Sequence, residues 1–345
     1  MKVFPSHVYE KRRMEFMNNI KSGIVLFPGN NESPMNYPAN TYHFRQDSTF
    51  LYFFGLNLSG LAAIIDIDRQ TATIYGNDVD IESIIWMGPQ PKLADLAAQT
   101  GITSTKPFAA FESDINEAKL AQRKIHYLPP YRHDNMIMLN KLLAIPVSEL
   151  KANASEEAIR AAIALREIKD EYEIAEMTNA AKTGYDMHMA ALKMARPGLY
   201  EREIAGLVEG IALSGGGSVS FPVICSIRGE TLHNHYHGNI MNKGDLLLLD
   251  CGAETEMHYC SDYTRTFPVS GQFSDRQRAI YQIVADANNK AFDLVKPGVV
   301  NRDIHLESCK IIASGLKELG LMKGNTEDAV ANGAHALFFP HGLGH

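Results

Sequence analysis

The chain has 345 residues, 45% of them hydrophobic, and sets 33 Lys and Arg against 40 Asp and Glu, for a formal charge of -7 and a pI near 6.0. That length exceeds the roughly 100–200 residues of one domain, so two domains are expected. The acidic balance argues against nucleic acid or an anionic membrane surface as the main partner, because phosphate binding needs a surplus of Lys and Arg. No apolar run approaches the ~18 residues of a spanning helix, and the N-terminal MKVFPSHVYEKRRMEF lacks the apolar core of an export signal. Cys225, Cys251, Cys260 and Cys309 show no CxxC spacing, so reduced thiols in a cytoplasmic protein are expected.

In chain order, a charged helix is predicted around Tyr9–Lys21, followed by a strand over Gly23–Phe27 that Pro28 and Gly29 close. Leu61–Ile67 and Thr71–Tyr75 read as a hairpin around Asp68-Arg69-Gln70, and Lys124–Leu128 before Pro129 as a further strand. These elements make a small mixed α/β domain. The chain turns polar near 151–156, where Ser155 before two glutamates suits a helix N-cap, and the domain boundary is placed there.

Beyond it, Asp170 opens a long helix with Ile174, Met177, Ala181, Tyr185 and Leu192 near one face, ended by Pro197-Gly198. A second helix starts at a capping box of Ser274 and Gln277 and carries Ile280, Val284, Ala287, Ala291 and Leu294 inward to Pro297-Gly298. RPGLYEREI at 196–204 and KPGVVNRDI at 296–304 share Pro, Gly, Arg and Ile in register at an offset of 100. Two copies are too few for a solenoid, so the expected form is a pseudo-two-fold domain with any site where its halves meet.

Three segments carry chemistry. The apolar run Leu246–Leu249 ends in Asp250, and a carboxylate at the end of a buried strand needs a partner. If Glu254–Met257 forms the turn, Asp250 and Asp262 become cross-strand neighbours, and two converging carboxylates invite a divalent cation. A plain hairpin with one hydrogen-bonded and one solvated aspartate satisfies the same pattern. The motif HGLGH at 341–345 offers His341 and His345 as imidazole donors, or as exposed groups of a Gly-rich loop. On a strand, alternation sends His233, His235 and His237 to one face, as a metal surface or the lining of a polar cleft.

Taken together, these segments resemble the pita-bread metallopeptidases, the group that holds aminopeptidase P, prolidase and methionine aminopeptidase. The resemblance implies two divalent metal ions, manganese foremost and cobalt, zinc or iron as alternatives, bound by Asp250, Asp262 and His345. It also implies catalytic imidazoles at His341 and at His233, or at His235 with a small gap, where they contact substrate and the tetrahedral intermediate.

FRQDSTFLYFFG at 44–55 resembles a phrase in the extra domain of aminopeptidase P and prolidase. The expected fold is therefore α/β (α+β), with a creatinase-like mixed α/β domain over 1–154 and a pita-bread catalytic domain over 155–345. The expected activity is removal of the N-terminal residue from peptides with proline second, in a homo-oligomer that uses neither nucleic acid nor membrane. An Xaa-Pro dipeptidase, a non-catalytic peptide-binding module and a creatinase-like hydrolase are the alternatives. The family places two glutamates and a further histidine after HGxxH, whereas this chain ends at His345. The pita-bread domain is accordingly expected to be incomplete and these 345 residues inactive by themselves.

Overall fold

The computed structural model describes residues 1–344, so His345 lies outside the described residues. The chain divides into two compact units, one formed by Met1–Ala180 with Glu254–Cys260, the other by Ala181–Ala253 with the chain from Ser261 onward. Among the described residues no helix is long and apolar enough to cross a membrane.

The first unit is built on a five-stranded mixed sheet in the order Ser104–Lys106, Thr71–Tyr75, Ala62–Asp66, Ile24–Pro28, Ile125–Tyr127. The predicted hairpin is present as the antiparallel pair of Ala62–Asp66 and Thr71–Tyr75, and Ile24–Pro28 pairs parallel with Ile125–Tyr127. Strand alternation sends Val25 and Phe27 into one core, with Phe16, Phe50, Phe53 and Ile65, and Ile24 and Leu26 into another, with Tyr75, Phe111 and Leu139. The sheet is thus covered on both faces, which explains why its central strands are apolar throughout rather than alternating.

The FRQDSTFLYFFG phrase is largely a packing and capping device. Asp47 accepts hydrogen bonds from Thr49 N and Phe50 N at the start of the helix Ser48–Phe54, and Phe50, Phe53 and Phe54 are buried. Arg45 reaches the buried Glu254 at 3.0 Å and donates to the Gln46 carbonyl.

The helix Glu156–Arg166 begins at the predicted cap, with the Ser155 hydroxyl accepting from Ala158 N. The same hydroxyl lies 2.6 Å from Nδ1 of the buried His126, whose Nε2 is 2.9 Å from the Ser22 carbonyl. Burial pushes the His126 imidazole below its ordinary 6.5. A histidine with a depressed folded-state pKa stabilises fully above the unfolded value and less as pH falls, because the unfolded chain takes up the proton first. Urea unfolding is expected to weaken from pH 6.5 downward, with His126 contributing at most about 1.4 kcal/mol per pH unit. His126→Gln should flatten that slope, and an unchanged slope would remove His126 from the account.

In the second unit, Tyr263–Pro268, Leu246–Cys251 and Ile224–Ser226 form an antiparallel sheet with the middle strand at its centre. The internal repeat appears in the backbone itself. Helices end at Met194 and Leu294 and restart at Glu201 and Asn301, while Gly198 and Gly298 take φ of +93° and +85° in the intervening turns. A side chain at either glycine would be strained in that left-handed conformation.

The predicted inner face of the first long helix is a correction. Ile174, Met177, Tyr185 and Leu192 are exposed on Glu171–Met194, and the buried residues are Glu173, Glu176, Ala180, Gly184, Met187, His188 and Ala191. On the second long helix Ala287 and Ala291 are buried as predicted, whereas Val284 is exposed. Small and polar residues share the buried face of the first long helix, and hydrophobicity counting does not see them.

Candidate functional site

Along Leu246–Cys251, Leu247, Leu249 and Cys251 enter the core with Met187, Ile204 and Val208, so alternation turns Asp250 to the other face. Asp250 stands opposite Thr264 on one neighbouring strand and Ile224 on the other. Asp262, two residues before Thr264, returns to the same face as Thr264. The predicted convergence is therefore present, but with the hairpin centred one residue later than expected. Glu254 bridges Cys260 and Thr255 N donates to the Tyr259 carbonyl, around a turn in which His258 adopts φ +63°.

The electrostatics of the pair follow from burial. Desolvation raises the Asp250 carboxyl above its ordinary value and Asp262 raises it further, while Thr264 and His233 oppose the shift. Asp250 Oδ1 is buried and has no protein hydrogen-bond partner. A buried, orphaned carboxylate oxygen beside a second carboxylate fits a bound divalent cation, because hard oxygen donors and negative charge are what such an ion requires.

Close backbone approach brings the two aspartate-bearing segments together. A Cβ on Gly252 would lie 1.7 Å from the Ser261 carbonyl oxygen, which also accepts from the Ser220 hydroxyl at 2.6 Å. His188, buried on the long helix, contacts the Tyr263 carbonyl at 2.9 Å and Cys251 Sγ at 3.6 Å, bracing both strands next to the aspartates.

The histidine-rich segment is not a strand. His233 and His235 are exposed in an irregular stretch, and His237 is tied to the Val223 carbonyl at 3.0 Å. The fully buried Glu201 holds this stretch in place. Its carboxylate accepts from Ile227 N at 2.7 Å, from the Ser226 hydroxyl and from the Asn239 side chain. Fixed ends of this kind position His233 near Asp250 without regular secondary structure.

The structure thus gathers Asp250, Asp262 and His233. His341 is placed differently, exposed, 2.8 Å from the Gly342 carbonyl and edge-on to Phe339 at 4.7 Å. His345, the third predicted metal ligand, lies outside the described residues. Sequence reading missed Glu201, His188 and Gly252. Glu201 did carry a signal, as the first helical residue after a repeated turn, but its burial did not show.

The model of metallopeptidase family M24 matches residues 175–345, and that of the aminopeptidase P N-terminal domain matches residues 9–126. A protein of Coccidioides posadasii named as a probable Xaa-Pro aminopeptidase is 30% identical over 338 residues, covering 94% of this chain and 70% of its own length. Among solved structures, the Pseudomonas aeruginosa aminopeptidase PepP superposes with a TM-score of 0.88 at 26% identity, over 100% of this chain and 80% of that one. A zinc-substituted Escherichia coli aminopeptidase P in complex with product gives 0.85 at 25% identity, over 99% and 80%.

Proposed function

Because the chain belongs to metallopeptidase family M24 and carries the aminopeptidase P N-terminal domain, we propose that it serves metal-dependent removal of the N-terminal residue from peptides with proline in second position. The observation that carries the site assignment is the orphaned Asp250 oxygen beside Asp262, under the influence of His233. Asp250, Asp262 and His345 would hold the two ions, manganese foremost. When bound, such a pair supplies Lewis acidity and an acidified water.

The chain's own residues do the rest. Asp250 and Asp262 would hold the cations, and the apolar side chains on the opposite face of their strand, Leu247, Leu249 and Cys251, keep that side dry. His233 and His341 donate hydrogen bonds to the scissile carbonyl and to the charge that develops on its oxygen, a contribution concentrated in the transition state. His188 and Glu201 position the strand and the loop that present these groups. Residues 1–154 are proposed as the aminopeptidase P/prolidase-like N-terminal domain and 155–345 as the catalytic one. Cytoplasmic placement is supported by four free cysteines. Homo-oligomerisation without nucleic acid or membrane completes the reading.

In the resemblance, two glutamates and a further histidine follow HGxxH and complete the metal site. Release of free amino acid from an Xaa-Pro-Yaa tripeptide, with and without manganese, tests this on the 345 residues beside a chain extended past His345. Manganese-dependent release by the extended chain alone is expected. Hydrolysis confined to Xaa-Pro dipeptides would make it a dipeptidase, and binding without hydrolysis by either chain would make it a peptide-binding module.

A further inference from the structure

A second cluster of metal-type donors lies outside the aspartate site. His305 and Cys309 stand at i and i+4 on the helix Asn301–Glu318, so their side chains share one face. Cys309 Sγ is 3.5 Å from His305 Nε2. His335, on the short helical segment Ala334–Leu337, brings its ring to 6.3 Å from the His305 ring at 71°. One donor atom from each residue falls within 4.8 Å of the other two.

Two features separate this group from a chance meeting of side chains. His335 Nδ1 is buried without a hydrogen-bond partner, and Cys309 is fully buried and free. Cys309 packs in an apolar cluster with Ala313 and Val330, against which Leu306, Met322 and Phe339 lie. An orphaned imidazole nitrogen beside apolar walls lacks a hydrogen bond that a coordinated ion would replace.

We propose that His305, Cys309 and His335 form a mononuclear zinc site, distinct from the carboxylate pair, with its fourth position left to water. The donor set selects the metal. One thiolate and two imidazoles suit zinc, whereas manganese and magnesium prefer the oxygens that Asp250 and Asp262 supply. Tetrahedral zinc with Zn–S of about 2.3 Å and Zn–N of about 2.0–2.1 Å sets neighbouring donors some 3.3–3.7 Å apart. The Cys309–His305 separation already has that value, and His335 closes on the ion by side-chain rotation. Binding releases the Cys309 thiol proton to solvent.

The site has a mechanical consequence. It ties the helix Asn301–Glu318 to the segment that leads into Phe338-Phe339-Pro340-His341, with the Phe339 ring 5.5 Å from His305 and 4.7 Å from His341. Zinc here would fix the approach of His341 without touching substrate. The site itself does not depend on the peptidase reading.

The test uses the 345-residue chain with Asp250→Asn and Asp262→Asn, which silences the carboxylate site. Equimolar cobalt(II) should give the thiolate-to-metal charge-transfer absorption and intense visible bands of a tetrahedral centre, and one equivalent of zinc should erase them. Adding Cys309→Ser should abolish the charge-transfer band, and adding His335→Gln, at a half-exposed residue, should weaken zinc binding at least tenfold in chelator competition while far-UV circular dichroism stays unchanged. Absence of the band in the parent, its persistence in Cys309→Ser, or unaltered zinc affinity in a folded His335→Gln chain would each overturn the proposal.

Discussion

Asp262→Ala, made in a chain extended past His345, is expected to lower manganese-dependent kcat/KM on Xaa-Pro-Yaa peptides by at least ~10³-fold, about 4 kcal/mol of transition-state stabilisation. Asp250 is already raised by burial and by Asp262, and its buried oxygen has no partner in the protein. On the proposed assignment a bound cation would answer to both carboxylates, and the loss of one would weaken its hold. Metal content by atomic absorption should fall in parallel, while the fold persists because Asp262 is exposed. Retention of full turnover with full metal occupancy would remove Asp262 from the ligand set. Retained metal with lost turnover would instead make it a substrate-contacting group.

Gly252→Ala should be the most damaging single-methyl change in the second unit. The added carbon would sit 1.7 Å from the Ser261 carbonyl oxygen and 2.8 Å from the Ser220 hydroxyl, and the first of these is backbone that a rotamer change cannot move. Relief requires the segments carrying Asp250 and Asp262 to part. Overpacking of this kind costs about 3 kcal/mol or more, which corresponds to a loss of roughly 6–12 °C in the melting of a unit this size. Metal affinity should fall together with stability, since the same separation pulls the carboxylates apart. Thermal melting with and without manganese checks both, and a Gly252→Ala chain that melts like the parent would show that the hairpin has slack the structure does not display.

Much of this molecule is legible in its sequence because the signals are local. Apolar runs marked the strands Ile24–Pro28, closed by Pro28 and Gly29, Ala62–Asp66, turned at Asp68-Arg69-Gln70, and Leu246–Cys251, ended at Asp250. Ser155 and Ser274 capped their helices at the expected places, the latter with Gln277 completing the box. The repeat at an offset of 100 was equally local, since a glycine with positive φ follows each long helix. The nearness of Asp250 and Asp262 was expected by the same logic, from a carboxylate at the end of an apolar strand and another across a turn, although Thr264 rather than Asp262 stands opposite Asp250.

Tertiary structure decided what depends on a partner far away in the chain. The register put Asp250 opposite Thr264 and moved the turn by one residue, because pairing is set by the whole ladder rather than by the turn sequence. The buried face of Glu171–Met194 combines small residues, such as Gly184 packed close to Ser261, with the polar Glu173, Glu176 and His188, a mixture that hydrophobicity does not encode. Glu201 is 0% exposed yet reads from sequence as an ordinary first-turn acid. Only the fold shows that its carboxylate replaces water for the backbone of a loop more than 20 residues away. His305, Cys309 and His335 likewise mean nothing until a helix and a distant turn meet. Sequence thus specified the elements and the carboxylates at their ends, while buried polar partnership, a matter of three-dimensional neighbours, was settled by folding alone.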